Sequence, residues 1–253
     1  MEVKATTLTR AKLLALLSRL QGSTQDYITI YATPTSSPGD VAGPLIDGVP
    51  WAGGLPGMLC SEGVVRELER YRTGLVAFWS EAEHGLIIIP PFAIPHDQGF
   101  RGEAATSPLH RLLCEDRLIG VVLVTWGSYA VGLVRGDMLL ESKTGTGHIH
   151  KRHHKGGRSQ KRFARRTEEQ KRDFLRRVAN RVDERFAGRQ LDQLFFGGNR
   201  LILKPLIDES SYLRHNVGRV SHRVLGARSA RRDVLLRSPE DVYRSVVFET
   251  ACL

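Results

Sequence analysis

Two adjacent glycines and a nearby glutamine form a short motif whose residue types suit ester hydrolysis. Gly156 and Gly157 precede Gln160 in a strongly basic stretch of the 253-residue chain. Glycine lets backbone N–H groups approach a reacting centre, and such donors stabilise an oxyanion. A glutamine amide can orient a water molecule there without a charged catalytic group. The alternative is that Gln160 is simply an exposed polar residue of a loop.

The charge of the chain is concentrated around this motif. The formal net charge is +10, and residues 151–185 contain fourteen Lys or Arg and five Asp or Glu, a net +9. The rest of the chain is therefore close to neutral. A concentrated basic surface is typical of proteins that bind a polyanion such as RNA. A solvated helix face is the alternative, but the acids are too few to pair all the bases.

Four histidines in the same stretch raise the question of a metal site. They are His148, His150, His153 and His154. We expect no metal and no cofactor, because the stretch offers no Cys or carboxylate ligand and its lysines and arginines repel a cation. Phosphate contact is favoured for His153 and His154. A histidine could also assist attack by a ribose 2′-hydroxyl on the adjacent phosphodiester, which would cleave RNA instead of an ester.

The cysteines and the hydropathy pattern narrow the class of protein. The three cysteines, Cys60, Cys114 and Cys252, have no paired spacing, which argues against a disulfide framework and a cysteine-based zinc site. No apolar run approaches the length of a membrane span. We therefore expect a soluble cytoplasmic protein. We also expect it to be a monomer.

The predicted elements indicate an α/β fold with a mixed central sheet and flanking helices. Strand patterns cover residues 27–31, 74–79, 86–89, 119–125, 129–135, 138–143, 191–196 and 201–203, and helix patterns cover residues 8–20, 61–72, 107–116 and 239–248. Residues 34–58 are rich in Pro, Gly and Ser and are interpreted as a long loop. We therefore predict an N-terminal appendage at residues 1–60 and a main domain at residues 61–253.

A long basic loop at residues 143–159 precedes a long helix with one apolar stripe. The stripe consists of Phe174, Leu175, Val178, Val182 and Phe186. The helix could begin at Thr167, which fits a capping box with Gln170. It could also begin at Ser159, with Phe163 extending the stripe. We favour the earlier start, since it places the two glycines just before a helix N-terminus, where free N–H groups favour phosphate oxygens.

The basic helix resembles a known family. Its segments Arg162-Phe163-Ala164-Arg165, Glu169-Gln170-Lys171-Arg172 and Phe174-Leu175-Arg176-Arg177-Val178-Ala179 are similar to the helix after the Gly-Gly-Gln loop in the catalytic domain of eukaryotic and archaeal class I peptide release factors. The closer similarity is to the Vms-like branch, including its actinobacterial members, which are associated with releasing nascent chains from tRNA on stalled large ribosomal subunits. The resemblance to the release-factor superfamily covers residues 143–182 by sequence and residues 74–206 by the order of the predicted elements.

The resemblance implies a release-factor-like catalytic domain that hydrolyses the ester of peptidyl-tRNA in the peptidyl-transferase centre. Gly156 and Gly157 would shape the loop tip, and Gln160 would position water. An ungapped alignment puts Arg158 where the family has its glutamine, although the Vms-like branch tolerates extra residues there. Arg158 could instead contact phosphate or act as an electrostatic stabiliser. The implied RNA-binding residues are Lys155, Arg158, Lys161, Arg162, Arg165, Arg166, His153 and His154.

The implied partners are the large ribosomal subunit and peptidyl-tRNA. The chain is too short to hold the codon-reading domains as well, so release is expected to be independent of a stop codon, as in ribosome rescue and quality control. Two alternatives remain: a metal-independent endonuclease that cuts tRNA near its 3′ end, and a non-catalytic ribosome- or RNA-binding factor. A second basic cluster at residues 214–232 either extends the RNA-facing surface or forms a solvated edge.

Overall fold

A computed structural model describes residues 3–82, 84–147 and 158–250 and divides the chain into two compact units. Unit 1 comprises Met1–Glu115 and Glu240–Leu253, and unit 2 comprises Asp116–Pro239. The predicted boundary at residue 60 therefore differs from the division that the structure has. Residues 27–32 pair with residues 75–80 and 98–102 in one sheet, so the first 60 residues are built into unit 1.

The regular elements of the described residues alternate between strands and helices. The strands are β1 (Val3–Leu8), β2 (Tyr27–Ala32), β3 (Leu75–Ser80), β4 (Gly85–Ile89), β5 (Gln98–Gly102), β6 (Leu118–Thr125), β7 (Ser128–Arg135), β8 (Met138–Thr146), β9 (Gln193–Gly198), β10 (Val220–Leu225) and β11 (Ser245–Thr250). The helices are α1 (Arg10–Gln21), α2 (Pro38–Ile46), α3 (Leu55–Leu59), α4 (Glu62–Tyr71), α5 (Ser107–Cys114), α6 (Arg158–Phe186), α7 (Arg200–Glu209), α8 (Ser211–His215) and α9 (Arg232–Val242). Within those residues, no helix has the length and apolar character needed to span a membrane.

Unit 1 is built on a six-stranded antiparallel sheet in the order β1-β11-β4-β3-β2-β5. Its central strands are rich in β-branched and aromatic residues, and β2, β3 and β4 are buried along their whole length. The predicted loop at 34–58 is wrong, because α2 and α3 lie within it. Their Gly and Pro content gives poor helix propensity, but Ala42, Leu55 and Met58 are buried in the core of this unit, and this burial overrides propensity.

Unit 2 contains the mixed sheet that the sequence predicts. Its order is β10-β9-β6-β7-β8, with β10, β9 and β6 parallel and β6, β7 and β8 forming an antiparallel meander. Helices α6, α7 and α8 contribute to one core with this sheet. On the other face, an added Cβ on Gly132 would lie 3.1 Å from Leu235 of α9, so α9 covers that face.

Two predicted elements near the end of the chain are wrong. Residues 201–203 belong to α7, whose N-terminus is capped where the Asn199 side chain accepts a hydrogen bond from the Leu201 N–H at 3.0 Å. The predicted helix at 239–248 is in fact the end of α9 followed by β11. Strand β11 pairs with β1 on one side and with β4 on the other, through Val246, Val247 and Phe248. These long-range hydrogen bonds make the segment a strand instead of a helix.

Candidate nucleic-acid interface

Helix α6 begins at Arg158, which confirms the earlier of the two predicted starts. Thr167 and Gln170, the residues of the alternative capping box, lie inside the helix. The backbone of Gln160 belongs to the first turn of α6. Gly156 and Gly157 directly precede the helix in the sequence. Together with Lys155, His153 and His154, the two glycines lie outside the described residues, as do His148 and His150.

The basic loop is shorter than the sequence predicts, because β8 continues through Thr146. Its last residues pair with the start of β7, with Thr146 opposite Ser128 and Thr144 opposite Ala130. Threonine suits a strand, and Gly145 lets the Tyr129 ring lie where an added Cβ would be only 2.5 Å away. The segment between β8 and α6 that carries the two glycines is therefore confined to residues 147–157.

The C-terminal part of α6 is anchored to the sheet by its apolar stripe. Phe174, Val178, Val182 and Phe186 are at most 1% exposed. The Phe174 ring lies 6.3 Å from the rings of both Trp126 and Tyr129. This packing fixes the direction of the helix relative to the β6–β7 turn.

Gly147 stands directly against this anchor. Its N–H donates a hydrogen bond to the Gly127 carbonyl at 2.8 Å. An added Cβ on Gly147 would lie 2.5 Å from the Phe174 ring and 2.9 Å from the Arg177 guanidinium. The segment that leads to the two glycines therefore starts beside the first buried residue of α6.

The N-terminal part of α6 has no buried side chain among those described between residues 162 and 173. Phe174, the first buried residue, comes sixteen residues after Arg158. At 1.5 Å of rise per residue, the helix extends about 24 Å before it reaches that residue. Over this length, no described side chain of the helix is buried in the core of unit 2.

Acidic residues offset most of the positive charge in the second part of α6 and leave most of the charge in the first part uncompensated. Asp183 caps α8, where it accepts hydrogen bonds from the N–H groups of Ser211 and Tyr212, both at 3.1 Å. The other four acids of the helix form ion pairs with bases: Lys171–Glu168 at 2.7 Å, Arg165–Glu169 at 3.2 Å, Arg176–Asp173 at 3.7 Å and Arg181–Glu184 at 2.6 Å. All five acids come after Arg166, so the first nine residues carry five bases and no acid.

Four arginines of α6 have no ion-pair partner in the described part of the chain. They are Arg162, Arg166, Arg172 and Arg177, and all four are exposed. Arg165 does have a partner, but the pair is highly exposed, with 85% of the Arg165 side chain accessible, and exposed pairs are weak. These side chains are therefore available to an external anion.

Trp126 and Arg181 sit where α6 meets the sheet. Trp126 is 36% exposed, and the Lys171 Nζ lies 5.2 Å from its ring centroid. The contact with the Phe174 ring packs this tryptophan against α6. The Tyr129 hydroxyl and then Glu184 raise the pKa of Arg181, and the Arg181 guanidinium contacts Glu184 at 2.6 Å, so this arginine is already engaged within unit 2.

The second basic cluster contains structural and exposed arginines. Arg223 is 5% exposed and its guanidinium lies 5.2 Å from the Phe195 ring centroid, while Arg219 donates a hydrogen bond to the Leu191 carbonyl. Both therefore support the fold of unit 2. Arg231 and Arg232 are exposed beside a pocket. Across the described ranges, no group of three or more potential metal-ligating side chains is found.

A long basic helix on a mixed sheet, directly preceded in sequence by two glycines, defines a candidate release-factor-type protein. The family model described as "Actinobacteria/chloroflexi VLRF1 release factor" (acVLRF1) matches residues 117–247. This match covers more than half of the chain, and the chain belongs to that family. The resemblance to the Vms-like branch is thereby confirmed.

Similarity to other proteins is more limited. Eukaryotic peptide chain release factor subunit 1 of Oxytricha trifallax is 33% identical over 85 residues, which are 34% of this chain and 19% of that protein. The same protein of Stylonychia lemnae gives the same values. The chain thus spans about a fifth of the length of the curated relatives that it matches.

Among solved structures, an archaeal translation termination factor, aRF1, has a TM-score of 0.31 at 18% identity, covering 81% of this chain and 62% of that one. Archaeoglobus fulgidus Pelota has a TM-score of 0.31 at 11% identity, covering 94% of this chain and 62% of that one.

Proposed function

We propose that this protein hydrolyses the ester bond of peptidyl-tRNA on stalled ribosomes and frees the nascent chain without a stop codon. One observation carries the proposal: the first nine residues of α6 hold five bases and no acid, directly after Gly156-Gly157. Membership in a release-factor family supplies the reaction class. The charge pattern supplies the partner, which is RNA.

The placement of the bases is unfavourable unless an anion is bound. They repel one another, and they stand at the N-terminus of a helix, where the backbone dipole already carries a partial positive charge. The first turn holds no acidic residue to offset this. RNA phosphates would relieve both effects, so an RNA-walled cavity such as the peptidyl-transferase centre would stabilise this helix end. The rise of about 24 Å between Arg158 and the first buried residue of α6 suits entry into such a cavity.

The chemistry assigned to the motif needs no metal or cofactor. Gly156 and Gly157 would allow close approach of backbone N–H groups to the ester carbonyl, and Gln160 would orient the attacking water. Water adds to the carbonyl carbon, and the bond to the ribose oxygen breaks. The peptide leaves as a carboxylic acid, which then ionises, and the proton of the water passes to the ribose oxygen as the tRNA hydroxyl.

The surrounding bases are assigned to RNA contact. Lys155, Arg158, Lys161, Arg162, Arg165 and Arg166, together with His153 and His154, would bind ribosomal RNA or the acceptor end of the tRNA. Arginine suits this role because its planar guanidinium matches phosphate oxygens in pairs. The proposed partners are therefore the large ribosomal subunit and peptidyl-tRNA, and the cellular setting is ribosome rescue and quality control in the cytoplasm.

The experiment follows both products of the reaction. The protein is incubated with ribosomes that hold peptidyl-tRNA at a sense codon, and the freed peptide and the 3′ end of the tRNA are analysed together. Peptide release with an intact terminal adenosine is the expected result. A shortened tRNA contradicts hydrolysis and supports the endonuclease, whose candidate bases are the histidines of residues 148–154. Binding without release supports the non-catalytic factor.

A further inference from the structure

The exposed arginines of the second basic cluster lie beside a pocket in unit 2. The pocket has a volume of 420 Å³. It is lined by Ser128, Thr144, Gly145, Thr146, Ala230, Arg231 and Arg232. None of these residues is acidic, so the lining has a formal charge of +2.

Hydroxyl groups form one wall of the pocket. Thr146 is paired with Ser128 and Thr144 with Ala130, and residues two apart on a strand share a face. The three hydroxyls of Ser128, Thr144 and Thr146 therefore lie together on one face of the sheet. The Ser128 hydroxyl is within 2.8 Å of the Thr125 hydroxyl. Across the described residues, the Thr144 and Thr146 hydroxyls have no protein hydrogen-bond partner, so they can serve a ligand.

The opposite wall carries the two arginines. Arg231 and Arg232 are exposed, and neither has a carboxylate partner within the described ranges. The adjacent Ala230 is 3% exposed, which fixes the backbone at this point. The Arg231 carbonyl accepts a hydrogen bond from the Leu235 N–H at 3.0 Å, so the first turn of α9 holds both arginines in place.

We propose that this pocket binds a backbone phosphate of an RNA strand, as a contact separate from α6. Arginine pairs and hydroxyl donors are the groups that proteins use for phosphate oxygens, and such contacts position a strand without reading its sequence. The proposal takes its RNA partner from the proposed function. Its test uses free RNA, so failure of peptide release and failure of this contact are distinguishable.

The position of the pocket favours a phosphate that belongs to an RNA strand over a free phosphate ion. Thr146 lines the pocket, and the next residue, Gly147, begins the segment that leads to Gly156-Gly157 and α6. The pocket therefore lies where the basic segment departs from the sheet. Because the two arginines are exposed, a continuous RNA backbone can reach them. An RNA that occupies the start of α6 and this pocket is held at two points.

The test measures the affinity for deacylated tRNA by fluorescence anisotropy at several salt concentrations. Replacing both arginines (Arg231→Ala with Arg232→Ala) removes the positive charge that would neutralise one phosphate. The slope of log K against log salt is then expected to fall by about 0.7–0.9, the contribution of one phosphate contact. Thr144→Val with Thr146→Val removes neutral donors and is expected to weaken binding with an unchanged slope. The matched control is Arg237→Ala, an exposed arginine of α9 outside the pocket, which is expected to have little effect.

A second arm separates an RNA strand from a free phosphate. Inorganic phosphate is titrated while the methyl NMR signals of Thr144 and Thr146 are followed, and the same signals are followed with tRNA. Shifts with tRNA that are lost in the double arginine variant support the proposal. The proposal is overturned if the wild type does not bind tRNA, if the double arginine variant and Arg237→Ala bind alike, or if inorganic phosphate shifts the signals while tRNA leaves them unchanged.

Discussion

At the scale of single residues, the number and exposure of its ion pairs govern how strongly an arginine of α6 can contact RNA. Arg162 is exposed and has no ion-pair partner in the described chain, whereas Arg176 contacts both Asp173 at 3.7 Å and Glu209 at 3.4 Å. An arginine that is already paired releases fewer counterions when RNA binds, because its charge is partly neutralised. Two arginines of the same helix should therefore respond differently to removal.

We predict that Arg162→Ala weakens RNA binding more than Arg176→Ala does. The salt slope of tRNA binding should fall by about 0.7–0.9 for Arg162→Ala and by clearly less for Arg176→Ala. Anisotropy titrations at several salt concentrations measure both. Equal slopes for the two variants would show that ion pairing on α6 does not govern RNA contact.

Phe174 is the residue on which the direction of α6 depends. It is 1% exposed and contacts the rings of Trp126 and Tyr129. We predict that Phe174→Ala lowers the free energy of unfolding of unit 2 by about 3–5 kcal/mol, because it removes a buried ring and leaves a cavity. Urea unfolding followed by tryptophan fluorescence measures the change.

Leu201→Ala supplies the control for that measurement. Leu201 is 81% exposed in α7, so its truncation should change the unfolding free energy by no more than about 0.5 kcal/mol. If both variants lost similar stability, the buried stripe of α6 would not be the anchor of the helix.

At this scale, the sequence predicts the types of the important residues better than their roles. The apolar stripe of α6 follows from spacing alone. The different roles of Arg223, which is buried, and Arg231, which is exposed, do not follow from spacing. The burial of an arginine depends on partners from distant strands, here the Phe195 ring of β9. For the same reason the pocket beside Arg231 could not be predicted, since its hydroxyls come from β7 and β8, about a hundred residues earlier.

At the scale of elements, α6 combines two halves with different tasks. The second half is packed and ion-paired, and the first half is basic and carries no buried side chain among those described. A rigid connection between them lets the sheet set the position of the basic end.

We predict that Glu169→Pro uncouples the two halves. Proline removes a helical hydrogen bond and clashes with the preceding turn, so the turns before residue 169 should lose protection in hydrogen exchange. Peptide release should fall, while the urea midpoint of unit 2 should change little, because the stripe from Phe174 onward is intact. Glu169→Ala is the control: it removes only the exposed pair with Arg165, and release should persist. Unchanged release by the proline variant would show that a continuous α6 is unnecessary.

The sequence correctly predicts the elements whose residue patterns are formed by neighbouring residues. The meander β6–β8 and the start of α6 are confirmed, since alternating apolar residues and long helical periodicity are local properties. Helices α2 and α3 and strand β11 are missed because their formation depends on burial or on pairing with distant strands.

At the scale of the whole molecule, the chain leaves unit 1, forms unit 2 and returns. Strand β11 lies between β1 and β4 and completes the sheet of unit 1. Unit 2 is continuous in sequence and has its own core. The predicted boundary at residue 60 could not anticipate this, since the sheet joins strands from both ends of the chain.

We predict that removing residues 240–253 destabilises unit 1 and spares unit 2. Loss of β11 leaves β1 without its pairing strand and exposes an edge of β4. A fragment of residues 116–239 should keep a cooperative unfolding transition, measured by circular dichroism. If that fragment is unfolded, or if the truncated chain keeps the full stability of unit 1, the division into two units is wrong in energetic terms.

Hydrolysis directed by the start of α6 can be measured as single-turnover peptide release from large ribosomal subunits that carry peptidyl-tRNA but no mRNA. The wild type is predicted to release peptide and leave the terminal adenosine of the tRNA intact. Gln160→Ala is predicted to be slower by about 10²-fold or more, the range seen when one preorganised polar group is lost from an active site. Gln190→Ala, which changes an exposed glutamine after α6, should match the wild type. Full activity of Gln160→Ala, or no release by the wild type, would contradict the claim.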